Sequence, residues 1–546
     1  MNSLLLDPAI ARAALLWAVP LCYLAAALTL GGRNRPPSVV WRWARASATL
    51  GVAAALASIV WLAFSGPIIV PAPGFDGFID HAVSGLGVRA DSVGTSVLLL
   101  VSFVGWVIVR YSSTYLGGDP GQPRYVRWLM GTLAGVAMVI ITNNLLVLTL
   151  AWMAASLALH GLLTFYADRQ PALIAAHKKF LASRVADVCM ISAIVLIGLN
   201  LGTLEIDEVL RRAQSLPEYP ASLAVAVVLI VITALLKCAQ LPVHGWLIQV
   251  MEAPTPVSAL LHAGVVNLGG FVLIRLAPLV TDVPAAQILL VLIGSVTAAV
   301  AALVMMTRIS IKVMLAWSTC AQMGFMLMQC GLGMYELALL HLIAHSLYKA
   351  HAFLAAGGAV AQARLQGLSP SPAPLGVGAA LLGALAGVTV VTGAALLWRV
   401  PEEELRALWA LAVVVCLALT PLLSARALRL GGIWPLAFVS GAFGVALAYF
   451  ALHDVFRGWI DLPGRDAPAA PGLVAVMLSC FVALFAVQTV IRARPGGAMA
   501  RRLYPWFYAG LFLDELFTRT TFRLWPARLS RRRDGLAAVP TTGATR

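Results

Sequence analysis

Charge is scarce in this chain. Asp, Glu, Lys and Arg together make up 11% of its 546 residues, where soluble domains carry roughly 25%. A hydrophobic share of 61% and a mean hydropathy of +0.90 leave no room for a large extramembrane domain, and exclude soluble enzymes, collagens and disordered scaffolds together. Cysteine is also sparse. Cys22, Cys189, Cys238, Cys320, Cys330, Cys416 and Cys480 are scattered, without Cys-x-x-Cys or Cys/His spacing, so disulfides, zinc and iron–sulfur ligation have no basis in the sequence. There is no Ser/His/Asp order, paired catalytic carboxylates, phosphate loop or metal box, so no cofactor is expected in this chain. Lysine is rarest among the cations: only Lys178, Lys179, Lys237, Lys312 and Lys349 occur, and every other basic residue is arginine.

What is present is a succession of apolar runs, each near the roughly 20 residues that a spanning helix needs. They read as helices at about 13–30, 46–65, 92–110, 127–143, 144–165, 182–201, 221–250, 255–276, 285–306, 313–333, 336–360, 376–398, 407–425, 432–452 and 472–491. The expected fold is therefore all-α, a polytopic membrane helix bundle of about fifteen spans in contact with membrane lipids. The first run is preceded by Asp7 and Arg12 and followed by Arg33, Arg35, Arg42 and Arg45, the wrong charge order for a cleaved signal, so it reads as the first span. Basic joints (33–45, 168–184, Arg308 with Lys312, Arg364, Arg426 with Arg429, and the tail) alternate with acidic ones (Asp76 to Asp91, Glu205 to Glu208, Glu402 to Glu404, Asp454 to Asp466). By the positive-inside rule that alternation predicts an outer amino terminus and a cytoplasmic carboxyl terminus.

Three stretches are not plain spans. Residues 66–91, rich in Gly and Pro, predict an outside cap or hairpin. Residues 221–250 are too long for one straight crossing, and Pro242, after Lys237, predicts a kink or break. Residues 503–528 read as an amphipathic surface helix, with a disordered last dozen residues. From 492 onward eleven arginines face three acidic residues, 11 − 3 = +8 of the total 38 − 23 = +15. That tail reads as topogenic; without aromatic-interleaved basic domains, no nucleic-acid partner is expected.

Ionisable groups inside the bilayer cost about 2.5–3.5 kcal/mol on insertion scales and by default mark function. Lys237 and Lys349 are the clearest. Arginine stays protonated, whereas a desolvated lysine can exchange a proton near neutral pH. His341, His345 and Lys349 recur every four residues and form one stripe, with His351 on a different face; imidazole passes protons between its two nitrogens. His262 belongs to the same class, His160 less so. Arg184 and Asp187, three apart, can pair as a support or gate. His244, near the kink, and Lys312, followed along its span by Ser318 and Gln322, are possible entrances.

Leu236-Lys-Cys-Ala-Gln-Leu-Pro-Val-His-Gly-Trp-Leu, Ala253-Pro-Thr-Pro-Val-Ser-Ala-Leu-Leu-His-Ala, Ile311-Lys-Val-Met-Leu-Ala-Trp-Ser-Thr and His345-Ser-Leu-Tyr-Lys-Ala-His-Ala-Phe-Leu resemble the proton-conducting membrane subunits of respiratory complex I and Mrp-type antiporters. The resemblance covers roughly residues 90–365. It implies two inverted five-helix repeats with broken helices and a hydrated mid-membrane axis. It also implies Lys237 as central proton carrier, His262 and His345 as relay, Lys349 as a further axis group and Arg184–Asp187 as a supporting pair. The implied organisation is N-terminal spans and cap (1–90), antiporter-like core (91–365), C-terminal spans (366–495) and basic cytoplasmic tail (496–546). Where complex I subunits carry a glutamate in the fifth span, Met153 stands here, and residues 374–398 lack their twelfth-span lysine. These departures and the shorter length are most similar to the DabB family, membrane subunits of two-part inorganic carbon accumulating complexes. The implied partner is DabA, a zinc-containing, carbonic-anhydrase-like cytoplasmic protein. The expected function is a non-enzymatic proton- or cation-conducting subunit that energises that partner. The alternatives are a complex I-like or Mrp-type antiporter subunit and, in another class, a stand-alone membrane enzyme or carrier.

Overall fold

A computed structural model describes residues 8–30, 35–70, 87–359, 363–364, 376–400, 402–424, 433–460 and 470–526. Expectations that fall on 71–86, 425–432, 461–469 and 527–546 lie outside them. The spanning helices are α1 (Pro8–Leu30), α2 (Pro37–Ser65), α3 (Ser92–Tyr115), α4 (Gln122–Ile141), α5 (Leu145–Leu163) and α6 (Gln170–Leu201). A short α7 (Ile206–Gln214) leads to α8 (Ala221–Lys237), α9 (Gly245–Gln249), α10 (Thr255–Ala263), α11 (Leu268–Arg275) and α12 (Ala277–Thr281). There follow α13 (Pro284–Met305), α14 (Ile311–Gly331), α15 (Tyr335–Leu354), α16 (Val377–Trp398), α17 (Glu402–Leu423), α18 (Trp434–Trp459), α19 (Pro471–Ala493), α20 (Ala498–Tyr508) and α21 (Leu513–Leu524). Among the described residues 13 helices are long and apolar enough to cross a membrane, and two shorter apolar helices, Ala221–Lys237 and Leu408–Leu423, complete the fifteen expected spans.

Local chemistry sets the helix ends. The Asp91 carboxylate accepts the Gly94 amide at 2.7 Å and Asn144 Oδ1 accepts the Leu146 amide at 2.8 Å, satisfying free donors at two helix starts. Two pairs of neighbouring helices, α4 with α5 and α13 with α14, pack through small residues, the usual device where lipid removes a hydrophobic drive. A methyl group on Gly135 of α4 would lie 2.9 Å from Ala155 of α5, and one on Gly294 of α13 would lie 2.6 Å from the Gly324 carbonyl of α14. Residues 68–70 (β1, Ile68–Val70) and 88–90 (β2, Val88–Ala90) pair antiparallel with Ile68 opposite Ala90, flanking the expected hairpin.

Two expectations need correction. α6 begins at Gln170 and runs 32 residues, so residues 170–184, read from the sequence as part of a basic joint, belong to a buried helix. The expected single amphipathic helix is two, α20 and α21, separated by a turn in which Leu511 and Phe512 take left-handed backbone angles, φ 57° and 58°.

Asp91 ties strand β2 to the core through Arg89 (2.7 Å) and Arg275. Burial alone would raise its carboxyl, but Arg275, Arg89 and the Gly94 amide outweigh burial and hold it below the usual aspartate value. A depressed folded-state pKa gives stability that is present above the unfolded value of about 3.9 and lost as pH falls through the folded one. Asp91→Asn leaves Arg275 buried and unpaired, at a cost of roughly 3–5 kcal/mol. Thermal unfolding in detergent should show a lower midpoint at pH 7 and a flatter acid limb; curves that superimpose at both pH values refute the assignment.

Candidate functional site

The first polar cluster forms where α8 stops. The Cys238 amide closes the last turn onto Ala234, Ala239 turns the chain with φ 52°, and Pro242 supplies no donor to continue. Lys237, the last residue of α8, is buried with its Nζ 2.7 Å from Asp187 Oδ1, and Arg184 Nη2 reaches Asp187 Oδ2 at 2.6 Å. One carboxylate thus bridges the lysine and the arginine. The ammonium also lies 4.5 Å from the centre of the Trp152 ring, a favourable cation–π position. Lys179 Nζ donates to the Ser156 carbonyl and hydroxyl, both at 2.6 Å. A cavity of about 20 Å³ is lined by Lys179, Ser183, Lys237, Trp152, Ser156 and Trp246 among others, room for one water between polar groups. Two cationic side chains, Lys237 and Arg184, share one carboxylate, and Lys179 lines the same small cavity.

The second cluster lies on α10, α14 and α15. His262 is fully buried, both ring nitrogens are unpaired, and its ring stacks on Phe353 at 4.5 Å. His345 Nε2 donates to the His262 carbonyl at 3.3 Å. His341 Nδ1 donates to Gln329 Oε1 at 3.1 Å, and the His341 and His345 ring centres are 6.1 Å apart. Lys349 Nζ donates to the Leu315 carbonyl at 3.2 Å. A cavity of about 490 Å³ is walled on one side by Ser318, Gln322, Gln329, His341 and His345, and on the other by apolar residues of α17. Among the described residues no carboxylate lies within salt-bridge distance of Lys349 or these histidines.

The structure therefore brings the sequence-derived residues together in two groups, not one. Lys237, Asp187 and Arg184 join as a triad, and His341, His345, Lys349 and His262 form the second set. The unpaired nitrogens of His262 rule out a direct bond to Lys237. α10 is the shared wall, since Leu261 lines the small cavity beside Lys237 while the next residue, His262, meets α15. Lys312 Nζ donates to Thr255 Oγ1 at 2.9 Å at the start of α10, and His244 is buried against Trp317, ring centres 4.8 Å apart. His160 lies on α5 four residues after Ser156, its ring 5.4 Å from that of Phe180 and 6.3 Å from that of Trp525. Met153 is half-buried and does not line the small cavity; its neighbour Trp152 and Ser156 do. The carboxylate that meets Lys237 here is Asp187 of α6. Sequence reasoning missed Lys179, although Lys179, Ser183 and Asp187 recur every four residues and so share a face.

The bundle and its buried polar clusters define an antiporter-like membrane transport subunit. Residues 142–369 match the family described as NADH:quinone oxidoreductase/Mrp antiporter, and residues 79–126 match the N-terminus of NADH-ubiquinone oxidoreductase (complex I) chain 5. The chain is 40% identical over 455 residues to the probable inorganic carbon transporter subunit DabB of Hydrogenovibrio crunogenus, across 83% of this chain and 86% of that protein. It is 40% identical over 461 residues to the probable subunit DabB2 of Halothiobacillus neapolitanus, across 82% and 83%. The chain belongs to the DabB family of inorganic carbon transporter subunits within that antiporter class. Its fold is similar to the Mrp complex from Dietzia sp., with a TM-score of 0.55 and 25% identity over 95% of this chain and 55% of the matched one.

Proposed function

We propose that this chain carries protons along its two polar clusters and lets the electrochemical gradient drive a cytoplasmic, zinc-containing, carbonic-anhydrase-like partner that accumulates inorganic carbon. The observation that carries this reading is the Lys237–Asp187–Arg184 triad, with Lys179 and room for one water beside it, at a fracture in a spanning helix. Buried charge of this kind by default marks an ion path. Protons would pass from this cluster by way of α10 to His262, His345, His341 and Lys349, with His244 and Lys312 near the entrance and ordered water closing the gaps.

In this reading the chain catalyses no reaction itself and holds no cofactor, and the zinc resides in the partner. The basic tail and the Arg308 end would face the cytoplasm and the amino terminus the outside. That orientation is supported by α20 folding back onto Arg308, whose Nη2 donates to the Phe507 carbonyl at 3.0 Å, which places two basic segments at one end of the bundle. Cells that express the chain with such a partner are expected to accumulate labelled inorganic carbon, and a protonophore should collapse that accumulation. Accumulation by the chain alone, or insensitivity to the protonophore, defeats the proposal.

A further inference from the structure

The end of the bundle beneath the helix fracture is covered by the far end of the chain. α20 and α21 lie across it, and Asp514, in the first turn of α21, enters a notch beside Gly245. A methyl group on Gly245 would lie 1.5 Å from Asp514 Oδ1, so this position admits the carboxylate because it has no side chain. Asp514 Oδ2 accepts from Lys178 Nζ at 2.8 Å and from Gln249 Nε2 at 3.0 Å, and lies 3.4 Å from Thr518 Oγ1. Oδ1 is buried without a hydrogen-bond partner. The Lys178 side chain is 0% exposed while that of Asp514 is 29% exposed, so the pair runs from a wet edge into a dry interior.

Lys178 immediately precedes Lys179 on α6. Successive residues of one helix therefore carry the Asp514 contact and the first polar cluster, Lys178 towards α21 and Lys179 towards Ser156 of α5. His244 and Gln249 complete the link at the fracture, the His244 ring tilted against that of Trp317, beside which Gly510 also lies. Beyond α21 the Trp525 ring stacks on His177 at 3.9 Å.

We propose that Asp514 is a proton-transfer residue, the carboxylate through which protons from the adjoining aqueous phase reach Lys178 and then the Lys179–Lys237 cluster. The proposal rests on the proton-conducting reading above. Protons balance at each step: the Lys178 ammonium gives its proton inward, its amine is recharged by the Asp514 carboxylic acid, and the resulting carboxylate takes the next proton from water at the exposed edge of α21. A purely structural latch needs only that the two charges cancel. A relay needs the carboxylate itself.

The test uses the full chain with its partner in proteoliposomes, with an internal pH dye and an imposed potential. Asp514→Asn combined with Lys178→Gln keeps the pair neutral and hydrogen-bonding. It is expected to cut proton flux about tenfold or more, in the range of lost proton-transfer groups, with partner co-purification unchanged. Wild-type flux in the double variant overturns the proposal in favour of a latch. Should the double variant not assemble, Asp514→Asn alone decides with added formate, a small diffusible acid: restored flux supports the relay, and flux indifferent to formate overturns it. A wild-type complex that moves no protons overturns the conduction reading and this inference with it, whereas wild-type flux with an indifferent double variant overturns this inference alone.

Discussion

Lys237→Ala should lower gradient-driven inorganic carbon uptake by roughly 10²–10⁴, the range seen when a proton-transfer group is removed, while the protein still inserts and binds its partner. The amine ends α8 next to a backbone break, so the substitution removes no interior helix bond. It leaves the Arg184–Asp187 pair, 2.6 Å apart, to neutralise the carboxylate. The empty space beside Trp152 adjoins an existing small cavity and can take a further water. Uptake measured in cells and normalised to complex recovered by pull-down checks it. Unimpaired uptake in a correctly assembled Lys237→Ala protein removes Lys237 from the path.

Asp187→Asn should be damaging in a different way. It removes the carboxylate that holds Lys237 and Arg184 at 2.7 and 2.6 Å, with Lys179 beside the same small cavity. Leaving charge unpaired in such a place costs roughly 3–5 kcal/mol, so the variant should lose both transport and thermal stability. Asp187→Asn with Lys237→Met removes the surplus cation and should regain most of the stability but none of the transport. The comparison separates the triad's part in folding from its part in conduction. A stable Asp187→Asn single variant would refute the bridging role of the carboxylate.

Much of this was legible because the bilayer allows so few solutions. Apolar runs of spanning length located every long helix, and Pro242 after Lys237 marked the fracture, since proline and charge in an apolar run both violate the rules of a plain span. The four-residue recurrence puts His341, His345 and Lys349 on one face of α15, and of the three the two imidazoles line the large cavity while Lys349 does not. Lys178 and Lys179 were hidden for the opposite reason. They follow His177 in a stretch polar enough to resemble a joint, and only tertiary partners, Asp514 from 336 residues away and Ser156 from the neighbouring helix, reveal that both are buried. Periodicity describes the face a residue shares along its own helix; it carries no information about what another helix brings to that face. For the same reason Met153 marks a departure in α5 without disclosing that Asp187 of α6 meets Lys237.

Among the described residues no carboxylate lies within salt-bridge distance of His341 or His345, and in the proposed path this limits how much charge the pair can hold. With ring centres 6.1 Å apart, charging His341 and His345 together would cost about 3 kcal/mol at an effective dielectric near 20, roughly a hundredfold against double occupancy. In the proposed path such a stripe would act as a turnstile. Each passage admits one elementary charge, worth about 2.3 kcal/mol per 100 mV of membrane potential, and this sets an electrical ceiling of about fiftyfold on any solute gradient that a single passage can support.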